Sequence, residues 1–289
     1  MGREEVSFAS GSDRCAAWLY RPQSGEPYPC VVMAHGFSLT RHDGLPEYAQ
    51  AFEDAGMAVL VFDHRYLGDS GGEPRQRFRK SEQLEDWRNA IAFARGLDEV
   101  DAERIVLWGY SFSAGHVTTI AAQDQRLAGA LALCPLVNGT RRVMGARPSE
   151  IAWILPRALY DLAGGKVKIP VTAQPGSHAA MTLPGEADGF ARAVSEGSPW
   201  RNEITPGVFA TVGFHRPLAR AARISCPYWV GIGGNDVSVH AGSAEKAGAR
   251  APRGEVEHYP GWDHFDVLTA DAPARIAADQ VAFLRRAGL

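Results

Sequence analysis

The stretch Arg104-Ile-Val-Leu-Trp-Gly-Tyr-Ser-Phe-Ser-Ala-Gly-His116 constrains the fold more than any other part of the chain. Ile105 to Trp108 is a short apolar run rich in β-branched and aromatic residues, and it reads as a buried strand. Ala114 to Ala122 reads as a helix. Between them, Gly109-Tyr-Ser-Phe-Ser113 has the small-x-Ser-x-small form of a sharp strand-to-helix turn. A serine on such a turn stands clear of the strand end, where it can attack a carbonyl. Bulk at Gly109 or Ser113 would collide with the neighbouring strand and helix. The fifth position is Ser rather than the commoner Gly, and Ser111-x-Ser113-x-Gly115 fits the same pattern. Ser111 is the preferred nucleophile because it closely follows the strand, whereas Ser113 would already lie inside the helix. The Phe112 N–H, at the helix start, would then point at the substrate oxygen.

Around this turn the chain alternates strand and helix. Glu4 to Phe8 and Arg14 to Tyr20 read as an edge hairpin about the turn Ser10-Gly-Ser-Asp13. The continuous apolar run Pro29 to Ala34 marks a strand covered on both faces. Helix Pro46–Ala55, strand Met57–Phe62 and helix Ser81–Leu97 precede the turn. Strands at Leu127–Cys134, Pro227–Ile232 and Gly254–Tyr259, with helices at Ala241–Arg250 and Pro273–Arg286, follow it. This order predicts an α/β fold with a mostly parallel central sheet and helices on both faces, its function collected at the strand carboxyl ends.

One stretch breaks the alternation. Residues 137–222 are Pro- and Gly-rich in the middle and too long for one crossover, with helices expected at Glu150–Leu162 and Ala187–Val194. Their aromatic content predicts packed structure rather than a disordered loop. We therefore expect a core domain from residues 1–136 and 223–289, with 137–222 inserted as a cap.

A serine nucleophile needs a base, and the base needs an orienting carboxylate. On a turn of this kind the chain order is Ser, acid, His. Asp236 follows the strand after the interruption, and His264 lies in the loop after the last strand, so both fall on the rim that carries Ser111. Among the rivals, Asp63 also ends a strand, but Arg65 beside it suggests a structural pair. Asp263 adjoins His264 and would point elsewhere, and Asp266 is another near neighbour. His35-Gly36 more plausibly shapes an oxyanion loop with Phe37 N–H as the second donor. His116 is expected to pack within the helix, and most of His42, His64, His178, His215, His240 and His258 to lie on the surface or in the cap.

Composition narrows the classes. With 33 acidic side chains against 30 Lys and Arg, the net charge of −3 argues against nucleic-acid binding. No run of about 18 apolar residues exists to span a bilayer, and Met1-Gly-Arg-Glu-Glu5 lacks a signal core. The cysteines Cys15, Cys30, Cys134 and Cys226 are scattered without metal spacing, so a reducing cytoplasm is the expected location. Neither metal nor cofactor is expected. Asp69-Ser-Gly-Gly72 is Gly-rich but lacks the Lys of a phosphate-binding loop. A homodimer stays open.

These residues, in this order, resemble the α/β-hydrolase superfamily over nearly the whole chain outside the cap. The resemblance rests on His35-Gly-Phe37, Asp63-His-Arg-Tyr-Leu-Gly-Asp-Ser-Gly-Gly72, Gly109-Tyr-Ser-Phe-Ser113 and Gly261-Trp-Asp-His264. More narrowly, Leu107 to Val117 is similar to an esterase branch related to dienelactone hydrolases and to polyketide transferases and thioesterase-like proteins. That branch usually has Thr and Gly where Tyr110 and Ala114 stand, and a cap segment like Trp200-Arg-Asn-Glu203, expected to border the pocket. The resemblance implies a small-molecule ester or thioester substrate and an acyl-enzyme on Ser111. Trp153, Met181, Trp200 and Phe209 are the expected substrate-binding residues. An acyltransferase, a lactonase or a polyketide-releasing enzyme would use the same triad. A peptidase, a C–C hydrolase and a catalytically silent binding protein rank lower.

Overall fold

The computed structural model describes residues 2–23 and 27–289; Met1, on which part of the signal-peptide reading falls, and three residues of the expected core (24–26) lie outside them. Eight strands form one sheet: β1 (Glu4–Ser10), β2 (Asp13–Tyr20), β3 (Tyr28–Ala34), β4 (Ala58–Phe62), β5 (Val100–Tyr110), β6 (Gly129–Leu133), β7 (Tyr228–Gly233) and β8 (Gly254–Tyr259). Their order across the sheet is β1-β2-β4-β3-β5-β6-β7-β8. β1 and β2 form the antiparallel edge hairpin, β2 pairs antiparallel with β4, and every pairing from β4 through β8 is parallel.

Strand periodicity builds two cores, one on each face, because successive side chains point to opposite sides. Val31 and Met33 of β3 pack with Trp108 of β5 and with Leu45, Tyr48 and Phe52 of helix α1 (Leu45–Asp54). Cys30 and Val32 face the other way, with Leu107 and with Trp87 and Ile91 of helix α2 (Lys80–Arg95). Helix α3 (Phe112–Ala121) joins this second core, and Ile120 anchors it there. All four cysteines are buried and free.

The long connection between β6 and β7 carries helices α4 (Gly139–Met144), α5 (Pro148–Leu162) and α6 (Glu186–Ala193), then three short 3-10 turns. α4 was not legible in the sequence; Asn138 caps it by accepting the Arg141 N–H at 3.2 Å. Polar ties hold the connection together and fasten it to the segments around the sheet. Asp161 of α5 accepts Arg79 Nη1 and Gly207 N–H, both at 2.7 Å, and Ser238 Oγ donates to Glu186 at 2.8 Å. Helices α7 (Ala241–Arg250) and α8 (Ala272–Arg286) complete the chain. No helix among the described residues is long and apolar enough to cross a membrane.

Two sequence expectations fail here. Arg65 does not pair with Asp63: its guanidinium bonds Asp86 and Glu85. Asp63 is instead held by the Arg41 and Asp69 N–H groups at 2.7 and 3.1 Å. His64 is buried rather than on the surface, and His215, within residues 137–222, is buried too, because each fills space against the back of α3. His64 Nε2 lies 3.3 Å from Ser113 Oγ, and the His215 ring stacks on Phe112 at 5.2 Å.

Candidate active site

Tyr110 ends β5 and Phe112 begins α3, so Ser111 is the single residue between strand and helix. Its backbone sits at φ 55° and ψ −111°, a conformation that an L-residue adopts only under constraint. Two hydrogen bonds supply the constraint: Ser111 N–H donates to Leu133 O at 2.9 Å, and Leu136 N–H donates to Ser111 O at 3.0 Å. The turn closes only because Gly109 lacks a side chain. A Cβ there would stand 2.7 Å from the Ser113 carbonyl and 2.8 Å from the Ala114 nitrogen, both backbone atoms that cannot give way.

The Ser111 Oγ lies 2.9 Å from His264 Nε2. On the other side of the ring, His264 Nδ1 lies 2.6 Å from Asp236 Oδ2. The second Asp236 oxygen accepts the Ser238 and Val239 N–H groups at 2.8 and 3.0 Å. A carboxylate fixed by two backbone donors holds the ring with its proton on Nδ1 and its lone pair on Nε2, facing the serine. The Asp236 side chain is 1% exposed, so little water competes for this bond.

Two further residues steady the constellation. Tyr110 Oη donates to the His264 carbonyl at 2.7 Å, tying the strand before the serine to the loop that bears His264. The departure of Tyr110 from the Thr expected at this position was the only sequence signal for this role. Cys134, just past β6, sits at φ 46° with its thiol beside Asp236; burial, and then that carboxylate, push the thiol well above its ordinary range. Cys134, Asp236 and His264 have donor atoms within 4.8 Å of one another. The 2.6 Å contact between Nδ1 and Oδ2 is too short for an ion to sit between those atoms.

The rival residues lie elsewhere. Ser113 is inside α3 and 1% exposed, facing His64, which in turn meets Asp86 at 3.3 Å. That buried serine–histidine–aspartate set does not line the cavity at Ser111. Asp63 is sealed in the interior, where burial pushes its carboxyl up to about 6. Asp263 accepts the Phe265 and Asp266 N–H groups and pairs with Arg192, so it shapes the loop. His35 is buried, its Nδ1 donating to Gly36 O at 2.9 Å, and desolvation lowers it to about 3.

Ser111 opens into a cavity of about 380 Å³ lined by Phe37, past the end of β3, by Phe112, at the start of α3, and by apolar side chains of the β6–β7 connection. Neither the Phe37 nor the Phe112 N–H has a protein acceptor among the described residues. Met181 and Phe209 line the cavity; Trp153 and Trp200 do not. Trp153 stacks on His178 at 4.9 Å under the Arg157 guanidinium, and Trp200 stacks on Phe190 at 5.8 Å. Nor does the rest of the Trp200–Glu203 segment reach the cavity: Asn202 brackets the Thr172 backbone, and Glu203 pairs with Lys168. Val143, Ile151, Ile154, Leu183, Val208 and Val239 supply the walls instead. The two tryptophans stand out in the sequence, but they build the connection's own packing, whereas aliphatic residues together with Phe209 face the cavity.

With this geometry in hand, comparison with known proteins is informative. The family model described as serine aminopeptidase, S33 (Hydrolase_4) matches residues 25–267. Quorum-quenching protein AidA of Acinetobacter baumannii (strain MDR-ZJ06) is 35% identical over 287 residues, covering 98% of this chain and 94% of that protein. Thiohydrolase aneE of Aspergillus aculeatus is 39% identical over 114 residues, 39% of this chain and 36% of that protein. Among solved structures, the alpha/beta hydrolase GrgF from Penicillium sp. sh18 superimposes with a TM-score of 0.83 at 26% identity, over 99% of both chains.

Proposed function

The chain belongs to the Hydrolase_4 family of α/β-hydrolases, and on that premise we propose that it is a serine hydrolase. It cleaves a carboxylic ester or thioester of a small to medium lipophilic substrate through an acyl-enzyme on Ser111. One observation carries this reading: the unbroken chain Ser111 Oγ–His264–Asp236, at 2.9 and 2.6 Å, opens on an apolar-walled cavity. Catalysis proceeds in two halves. His264 Nε2 takes the hydroxyl proton as Ser111 Oγ attacks the carbonyl carbon, and Asp236 stabilises the imidazolium. The Phe37 and Phe112 N–H groups receive the developing oxyanion. Collapse breaks the bond to the alcohol or thiol, which leaves with the proton from His264. Water, activated by the same histidine, then releases the acid.

The substrate class follows from the walls. The cavity has one lining carboxylate, Glu150, and it already accepts the Arg147 N–H at 2.9 Å. A free peptide amino terminus is a cation, whereas Glu150 already has the Arg147 guanidinium 4.0 Å away and Arg142 shares the wall, so the lining favours acyl groups over peptides. Residues 137–222 serve as the cap that excludes water from the acyl-enzyme, with Met181 and Phe209 as contacts for the acyl chain. A lactone is an ester closed on itself and falls within the same reading. Transfer to an alcohol or amine differs only in the acceptor.

The test is intact mass after exposure to a fluorophosphonate, on wild-type protein and Ser111→Ala in parallel. A single adduct on wild type that is absent from the variant is the expected result. No adduct on folded wild type, or an adduct retained by the variant, would overturn the assignment. Esters and thioesters of graded acyl length, with and without competing alcohol, then define substrate and acceptor.

A further inference from the structure

A second cavity, of about 470 Å³, lies back to back with the first. The two share a wall. Leu136, Arg142, Val143 and Val239 face the Ser111 cavity, whereas their neighbours Val137, Asn138, Arg141 and His240 face this one.

Its chemistry is of one sign. Arg141, Arg216, Lys246 and Arg250 converge on it, and no carboxylate lines it. None of these four makes an ion pair among the described residues, although the chain carries more acidic than basic side chains. By contrast Arg41, Arg65, Arg79 and Arg142 are each paired with a carboxylate. Four like charges around one concavity repel one another, and only a bound anion reverses the sign of that energy.

The hydrogen bonding at the wall points the same way. His240 Nδ1 accepts the Ser243 backbone N–H at 3.0 Å. Ser243 Oγ lies 3.1 Å from the same nitrogen, and His240 Nε2 stands 3.2 Å from Arg141 Nη2, a donor. In the tautomer with its proton on Nε2 the ring and the guanidinium both present donors at this point of the wall, and an anion between them accepts from both.

We infer that this cavity binds a phosphate group, with Arg141 and His240 as donors on one side and Arg216, Lys246 and Arg250 neutralising the charge. Guanidinium forks match a tetrahedral oxyanion, and several of them together select a dianion over a lone carboxylate. The phosphate has two sources. It is free, or it is the phosphate of a thioester carrier whose acyl end enters the neighbouring cavity; the second source rests on the thioester reading above.

The experiment titrates inorganic phosphate calorimetrically into wild-type protein and into the exposed double variant Lys246→Gln/Arg250→Gln, with thermal melting as the check on folding. Saturable binding to wild type, weakened at least about tenfold in the variant, is the expected result, since each lost charge-assisted contact is worth about a decade. No binding to wild type, or equal binding to both proteins, overturns the site. A second arm compares KM for butyryl-coenzyme A with KM for butyryl-N-acetylcysteamine, which has the same acyl group and no phosphate. A lower KM for the coenzyme thioester that the double variant abolishes, with the small thioester unaffected, assigns the phosphate to the substrate. Equal KM values with variant-sensitive phosphate binding keep the site and assign it to free phosphate. If wild type hydrolyses neither thioester yet binds phosphate in the same variant-sensitive way, the thioester reading fails and the site stands.

Discussion

Replacing Asp236 by Asn tests the proposed relay at its most constrained point. The carboxylate has two engagements: Oδ2 accepts the His264 Nδ1–H at 2.6 Å, and Oδ1 accepts Ser238 and Val239 N–H at 2.8 and 3.0 Å. An amide has one oxygen to offer. If that oxygen stays with the two backbone donors, the amide NH₂ faces Nδ1. The ring must then shift its proton to Nε2, where it points at Ser111 and the base is lost. If the amide flips, NH₂ opposes two N–H groups, and two buried donors lose their acceptor at a cost of about 1–3 kcal/mol each. The first arrangement costs less and keeps the fold. Turnover is then expected to fall about 10⁴-fold, or about 5.5 kcal/mol of transition-state stabilisation, with KM little changed. The assay is kcat and KM on a thioester substrate of the wild type, alongside the melting temperature. A variant that keeps more than about a tenth of wild-type kcat, with an unchanged fold, would refute the claim that this carboxylate sets the tautomer.

Ser113→Ala separates the two serine–histidine pairs: Ser113 meets His64 in the interior, so the variant should lose about 1 kcal/mol of stability while keeping fluorophosphonate labelling. Lost labelling in a folded Ser113→Ala protein would reverse the nucleophile assignment. Stability should also fall on acidification. Burial lowers His35 and His215 from 6.5 to about 3, so the unfolded chain takes up their protons first as pH drops below 6.5. Their stabilisation is complete above that value and is lost progressively down to about pH 3, at about 1.4 kcal/mol per pH unit for each ring. Asp63, raised to about 6 by burial, works oppositely between about 6 and 3.8, because there the folded state binds its proton first. The net sign is destabilising. Urea midpoints at pH 7 and 5 on wild type and His215→Gln check it, the variant having the shallower slope; an equal midpoint at both pH values in wild type would refute the depressed histidines.

The division between what was legible and what was not follows from the range of the forces involved. Covering a strand on both faces leaves a continuous apolar run, so β3, β4 and β5 could be read directly, as could the helix stripe of α2. The small residue at Gly109 betrays the turn because its constraint is local: the backbone it would strike belongs to Ser113 and Ala114, a few positions on. Chain order likewise singled out Asp236 and His264, each in a loop after a strand.

Contacts between distant segments left no such trace. The sequence offered Arg65 as a partner for Asp63, but adjacency says nothing about direction, and the guanidinium turns to Asp86 on α2. His64 looked like a surface residue because a polar ring has no periodicity to mark it; it and His215 of the β6–β7 connection are buried by what packs around α3 from far along the chain. Size misled at the cavity, where Trp153 and Trp200 stack on their own neighbours. The convergence of Arg141, Arg216, Lys246 and Arg250 joins α4, a 3-10 turn and α7. By itself, then, the sequence determined the strands, the helices other than α4, the strained serine turn and the order of its partners, because each is written in neighbouring residues. Which side chains meet across the fold was decided by packing alone, since that depends on how the β6–β7 connection folds back over the sheet.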